Sequence, residues 1–178
     1  MRLRRLALAA LLAALTAVCA QIALPNPLLP GVPFTLQIFA VCLTGALLPP
    51  RWAFASQAVY LLMGAVGLPV FAGGAAGPAV LFSVVGGFLW AYPFAAAVCA
   101  WVAGARCPYL RLAAAEVVGI AVVYAGGLAG MVALGHLPLN TGTVLGLTSF
   151  LPWDLIKALL AATVTLRLRV AVPEVAGS

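Results

Sequence analysis

The chain has 178 residues, 66% of them apolar and only 7% charged. Soluble domains run near half apolar and a quarter charged, so a water-soluble fold is excluded for want of polar surface. The formal charge of +6 does not mark a nucleic-acid partner, because the basic residues are dispersed and no aromatics interleave with them as a stacking platform requires.

At about 20 residues per membrane-spanning helix, six helices need on the order of 120 residues and leave the rest for loops. Apolar runs bounded by charges, prolines and glycines predict an all-α integral membrane protein, one six-helix domain over 1–178 with spans at 6–24, 34–48, 52–69, 80–103, 109–134 and 151–168. The first span carries alanines at Ala9, Ala13 and Ala17 and again at Ala10 and Ala14. Small residues every four positions let another helix approach closely, either inside the bundle or on a separate subunit. The same segment also has the layout of a secretory signal, with Arg2 to Arg5 before an apolar stretch and small residues at Ala17 to Ala20. Its removal would leave five spans. The second span is short, and the fifth contains Gly126, Gly127 and Gly130, where a bend or a close helix contact is expected.

Charge supports the even count. With the N-terminus in the cytoplasm, Arg2, Arg4, Arg5, Arg51, Arg106, Arg111, Arg167 and Arg169 all lie inside, while the loops near 25–33, 70–79 and 135–150 contain neither Lys nor Arg. That asymmetry is the positive-inside rule, and it places both termini in the cytoplasm. The arginine-free loops instead hold Pro, Gly and apolar residues: Asn26 to Pro33, Gly67 to Pro78 and His136 to Gly142. Tight turns would account for the prolines and glycines. Leu28, Leu29, Val32, Val70 and Phe71 suit a second reading, loops folded back as a lid over a site at the outer end. The four cysteines, Cys19, Cys42, Cys99 and Cys107, have no CxxC or metal-ligand spacing, and they read as small packing residues.

Only three acidic residues exist. Glu174 is in the C-terminal tail, and Glu116 is near enough to Arg111 for both to snorkel towards the interface. Asp154 and Lys157 differ. Pro152 suits a helix first turn, which makes Asp154 an early-turn residue, and a spacing of three puts Lys157 on the same face, roughly 9 Å below the start of the span. Ionisable groups at that depth must face the bundle, a cavity or each other. The pair is either a salt bridge pinning the sixth helix or a polar anchor for a small ligand. Thr35, Gln37, Gln21, Tyr92, Tyr124 and Asn140 fall in the same outer half, with Phe71, Trp90 and Trp153 nearby. As a set they describe an apolar pocket with a few placed polar groups.

No GxxxxGK[ST], HExxH or GxSxG sequence is present, so the chain carries no ATP-binding loop of its own and no nucleophile–base pair is visible.

Val32-Pro33-Phe34-Thr35-Leu36-Gln37, Gly67-Leu68-Pro69-Val70-Phe71-Ala72-Gly73-Gly74, Gly86-Gly87-Phe88-Leu89-Trp90-Ala91-Tyr92-Pro93 and Pro152-Trp153-Asp154-Leu155-Ile156-Lys157 together resemble the BioY family. These are biotin-specific substrate-binding (S) components of energy-coupling factor transporters. The resemblance implies a multi-pass protein of a prokaryotic plasma membrane that captures biotin from outside. A transmembrane coupling (T) subunit and two cytoplasmic ATPases would drive transport, with no cofactor and no catalysis. It implies Asp154 and Lys157 as holders of the polar ends of biotin, the ureido ring or the valerate carboxylate. Thr35, Gln37, Phe71 and Tyr92 would line the pocket, and the stripe of Ala9, Ala10, Ala13, Ala14 and Ala17 would dock the coupling partner. The chain departs from the family at Ser83-Val84-Val85, where Gly-Pro-Thr is usual. An S component for another vitamin, an intramembrane enzyme using Asp154 and His136, and a purely structural subunit are the competing readings.

Overall fold

The computed structural model describes residues 2–105, 107–134, 138 and 140–171. Arg106, His136 and Glu174 lie outside the described residues. The helices, in chain order, are α1 (Arg2–Gln21), α2 (Gln37–Leu47), α3 (Pro50–Ala65), α4 (Gly86–Ala103), α5 (Tyr109–Ala133), α6 (Thr141–Thr148) and α7 (Leu151–Ala171). Six of them overlap the six predicted spans. By length and apolarity α1, α4, α5 and the continuous stretch Thr141–Val170 are long enough to cross a membrane. The chain is an all-α membrane protein.

The 11-residue α2 is too short to cross the roughly 30 Å hydrocarbon core on its own. Its missing length is supplied by extended chain: β1 (Ala23–Leu24) pairs antiparallel with β2 (Phe34–Thr35), Ala23 opposite Thr35. Non-helical backbone at membrane depth is tolerated where protein surrounds it. Here the Leu36 N–H donates to the Ile22 carbonyl at 3.3 Å. The predicted fourth span likewise starts late. Residues Pro78–Phe82 form a 3-10 turn before α4, and Gly86 sits so close to the Leu81 carbonyl that any Cβ would collide with it.

The glycines of α5 make a close contact rather than a bend. The helix runs unbroken from Tyr109 to Ala133, and a Cβ at Gly127 would strike the Phe88 ring, one at Gly130 the backbone of Gly87. Paired glycines on α4 and α5 thus let two backbones touch, the usual way to gain packing where no hydrophobic driving force acts between helices.

The α1 stripe divides. Ala9 and Ala13 are buried inside the bundle and Ala17 is partly buried, while Ala10 and Ala14 face outward. Ala9 and Ala13 thus lie on the side of α1 that packs against α3. The Ser56 hydroxyl donates to the Ala9 carbonyl at 2.7 Å, and Gln57 Nε2 donates to the hydroxyls of Thr16 on α1 and Thr44 on α2, both at 3.0 Å. All four cysteines are free and buried, as expected of packing residues.

Glu116 also departs from expectation. It is fully buried, not snorkelling, and Arg111 instead donates from Nε to the Val102 carbonyl at 2.9 Å. At the same end of the bundle, Arg169 Nη2 donates to the Ala46 carbonyl at 2.7 Å. The helix ends that bear arginine thus gather at one end.

Candidate functional site

A cavity of about 450 Å³ opens at the opposite end, within the range of small-molecule pockets. It is walled by α2, α4, α5 and α7 and by residues of two proline- and glycine-rich connections, among them Gly31, Pro33, Phe71 and Ala75. Those connections are therefore walls of the cavity and not bare turns. The third, where no helix was expected, forms α6, because the Asn140 side chain accepts the Thr143 N–H at 2.9 Å and caps it.

All six residues singled out as pocket-lining, Thr35, Gln37, Phe71, Tyr92, Asp154 and Lys157, border this one cavity. Asp154 lies in the first turn of α7, where the helix dipole favours a negative charge. The i,i+3 spacing brings Lys157 Nζ to 2.8 Å from Asp154 Oδ1, with side-chain exposures of 13% and 3%. Two further groups hold the pair. Lys157 donates to the Thr35 carbonyl at 2.6 Å, and the Tyr124 hydroxyl donates to Asp154 Oδ2 at 2.6 Å. The charges are thereby paired and hydrogen-bonded, the condition under which a low-dielectric site retains them.

A second chain of hydrogen bonds leads away from Thr35. Its hydroxyl donates to Gln37 Oε1 at 2.9 Å, Gln37 Nε2 donates to the Tyr60 hydroxyl at 2.7 Å, and Tyr60 donates to the Val70 carbonyl at 3.2 Å. The polar groups thus run as a belt from α5 through α7 and α2 to α3, leaving the remaining wall apolar. Phe88, Leu89, Val123 and Phe150 belong to that wall. Phe150 stacks at 4.5 Å on Phe34, which ties the start of α7 to β2.

Tyr124 and Tyr60 complete the belt, yet neither was among the six. Tyr124 lies in the outer half of its span as expected, but its bond to Asp154 joins residues 30 apart in sequence, which no local spacing reveals. Tyr60 had no signal at all: it reads as one more apolar-run aromatic. Trp90 and Trp153, by contrast, are exposed on the outside of the bundle. The Trp90 indole donates to the Leu81 carbonyl at 3.0 Å and braces the turn before α4. Gln21 does not reach the cavity either, but donates to the Pro69 and Phe71 carbonyls at 3.5 and 3.3 Å, tying the end of α1 to the cavity's outer wall.

Ser83 and Val85, in the segment that departs from the family pattern, do border the cavity. The Ser83 hydroxyl donates to the Val80 carbonyl at 2.7 Å. Its proton is committed locally, so it offers a ligand only an acceptor.

A sequence profile of the BioY family matches residues 1–174. A probable biotin transporter BioY of Pyrococcus horikoshii is 35% identical over 170 residues, 95% of this chain and 98% of the relative. The biotin transporter BioY of Thermotoga maritima is 35% identical over 167 residues, 94% of this chain and 96% of the relative. A crystal structure of the S-component for biotin from an ECF-type ABC transporter has the same fold, with a TM-score of 0.84 over 94% of this chain and 92% of that one at 24% identity. A profile match along nearly the whole chain and relatives matched nearly end to end place the protein: it belongs to the BioY family.

Proposed function

We propose that this protein is the biotin-capturing membrane component of a vitamin uptake transporter, resident in a prokaryotic plasma membrane and working with a transmembrane coupling subunit and two ATPase subunits. Family membership supplies the transport role. The observation that carries the ligand assignment is the cavity itself, apolar on most sides and edged by the Asp154–Lys157 pair. Biotin combines a polar ureido ring and a carboxylate with a thioether ring and an aliphatic chain, and it matches such a lining. A carboxylate can accept ureido N–H groups, and an ammonium can donate to a carbonyl or a carboxylate. Thr35, Gln37, Tyr92 and Phe71 are proposed as further lining residues.

The chain lies with both termini in the cytoplasm and the cavity opening outward, in keeping with the arginine end facing inward. Coupling-subunit docking then falls to the outward alanines of α1, Ala10 and Ala14.

Mass spectrometry of the molecule retained by protein purified in detergent, followed by calorimetric titration, tests the ligand. Biotin at one per protein is the expected result; retention of thiamine or riboflavin would move the protein to another vitamin, and turnover of a bound compound would make it an enzyme. Orientation is read by impermeant maleimide on intact cells. Ala76→Cys should label from outside and Ala105→Cys only after permeabilisation; the reverse pattern would invert the bundle.

A further inference from the structure

Gly64 lies in the last turn of α3, where glycine costs about 1 kcal/mol relative to alanine in a helix interior. Its surroundings explain the choice. The tip of the Phe71 ring rests on the Gly64 Cα, and a Cβ built there would overlap the ring atoms Cζ, Cε1 and Cε2. The Gly64 carbonyl meanwhile accepts N–H bonds from Gly77 at 2.8 Å and Gly67 at 3.1 Å, at either end of the connection that carries Phe71. One residue therefore supports that wall both by side-chain space and by backbone.

Phe71 has little freedom to yield. Its N–H donates to the Ala75 carbonyl at 3.1 Å, and its own carbonyl accepts from Gly74 at 3.1 Å and from Gln21 Nε2 at 3.3 Å. On its second side the ring meets Tyr60 edge to face, with centroids 5.7 Å apart and planes at 86°. Tyr60 is itself anchored by Gln37 and Val70. With the backbone held and Tyr60 fixed, a ring displaced from Gly64 has the cavity to move into, and Phe71 borders that cavity while only 1% exposed.

We infer that Gly64 is a specificity-determining positioning residue: by lacking a side chain it seats Phe71 as the apolar wall against which the non-polar part of the ligand rests, and so sets the width of the pocket. This rests on the biotin reading above. Gly64 touches no ligand in this scheme; it acts through Phe71.

Calorimetric biotin titration of folded protein in detergent, paired with thermal unfolding of the same samples, tests it across wild type, Gly64→Ala, Phe71→Leu and the double variant. Gly64→Ala should weaken biotin binding by about fivefold or more, the lower end of what overpacking in a packed wall is equivalent to in a binding constant. Phe71→Leu removes the atoms that collide, so the double variant should bind biotin as Phe71→Leu does and more tightly than Gly64→Ala. Where Gly64→Ala does not fold, the comparison of the double variant with Phe71→Leu decides alone: equal affinities support the inference and unequal ones overturn it. Unchanged affinity in folded Gly64→Ala, with only a lowered unfolding midpoint, would also overturn it, making the glycine structural. A wild type that binds no biotin would instead remove the ligand assignment.

Discussion

Two carboxylates lie buried in this bundle about two helical turns apart, and they are treated in opposite ways. In the cavity half, Asp154 has Lys157 on one oxygen and Tyr124 on the other. In the arginine half, Glu116 is fully buried and, among the described residues, neither of its oxygens has a hydrogen-bond partner. It lies eight residues before Tyr124 on α5, about 12 Å along the helix. Arg111 and Arg169 are on that side but donate elsewhere, Arg111 to the Val102 carbonyl and Arg169 to the Ala46 carbonyl and the Cys107 sulfur. The difference teaches that burial alone does not mark a site in this membrane protein. What sets Asp154 apart is a partner on each oxygen, Lys157 from its own helix and Tyr124 from α5, and the opening of that set onto a cavity.

The contrast is sharpest at Lys157. Lys157→Ala leaves Asp154 buried without its cation, which costs about 3–5 kcal/mol of stability for a broken buried pair, and it takes away the proposed ammonium donor, so biotin affinity should fall on the order of a hundredfold. Titration at equal folded concentration checks it, and wild-type affinity would dissolve the assigned site. Asp154→Asn keeps the shape and removes the charge that Lys157 and Tyr124 address, so it should weaken binding by tenfold or more, about 1.4 kcal/mol per decade.

Tyr124→Phe takes one hydrogen bond from a charged acceptor, about 1.5–3 kcal/mol. Part of that loss falls on stability, so both a lower unfolding midpoint and a several-fold weaker affinity are expected. An effect on neither would mean the belt ends at Asp154. The smallest change is expected at Glu116. Glu116→Gln keeps the volume and replaces a buried carboxyl that has no cation beside it with a neutral amide, so the unfolding midpoint should hold or rise and biotin affinity should stay within about twofold, the scale of a substitution outside any paired network. A tenfold fall in affinity there would break the comparison and tie the inner carboxyl to the pocket.

Much of this was legible in the chain. Membrane class, six spans and arginine-free loops follow from composition and from where nine basic residues fall, because hydrophobic length and charge position act locally along the sequence. The i,i+3 contact of Asp154 with Lys157 follows from helix geometry for the same reason. Partners that approach from elsewhere were not legible. Lys157 meets the Thr35 carbonyl 122 residues away, Gln37 meets Tyr60, and Tyr124 meets Asp154. The stripe on α1 is the converse case. Small residues at 9, 13 and 17 were read correctly as a surface for close approach, but which helix approaches is decided by how α1 turns towards α3.

By itself, then, the sequence determined what is dictated by the solvent: that the chain is a membrane protein built of apolar helical runs, that its arginines fall between those runs, and which few polar groups are too costly to leave facing lipid. Only the tertiary structure decided what those polar groups face. In a medium that cannot supply hydrogen bonds, each group's environment is set by whichever distant backbone or side chain the packing brings beside it. That is why Asp154 is at the edge of a cavity with two hydrogen-bond partners, and Glu116, equally buried, has none among the described residues.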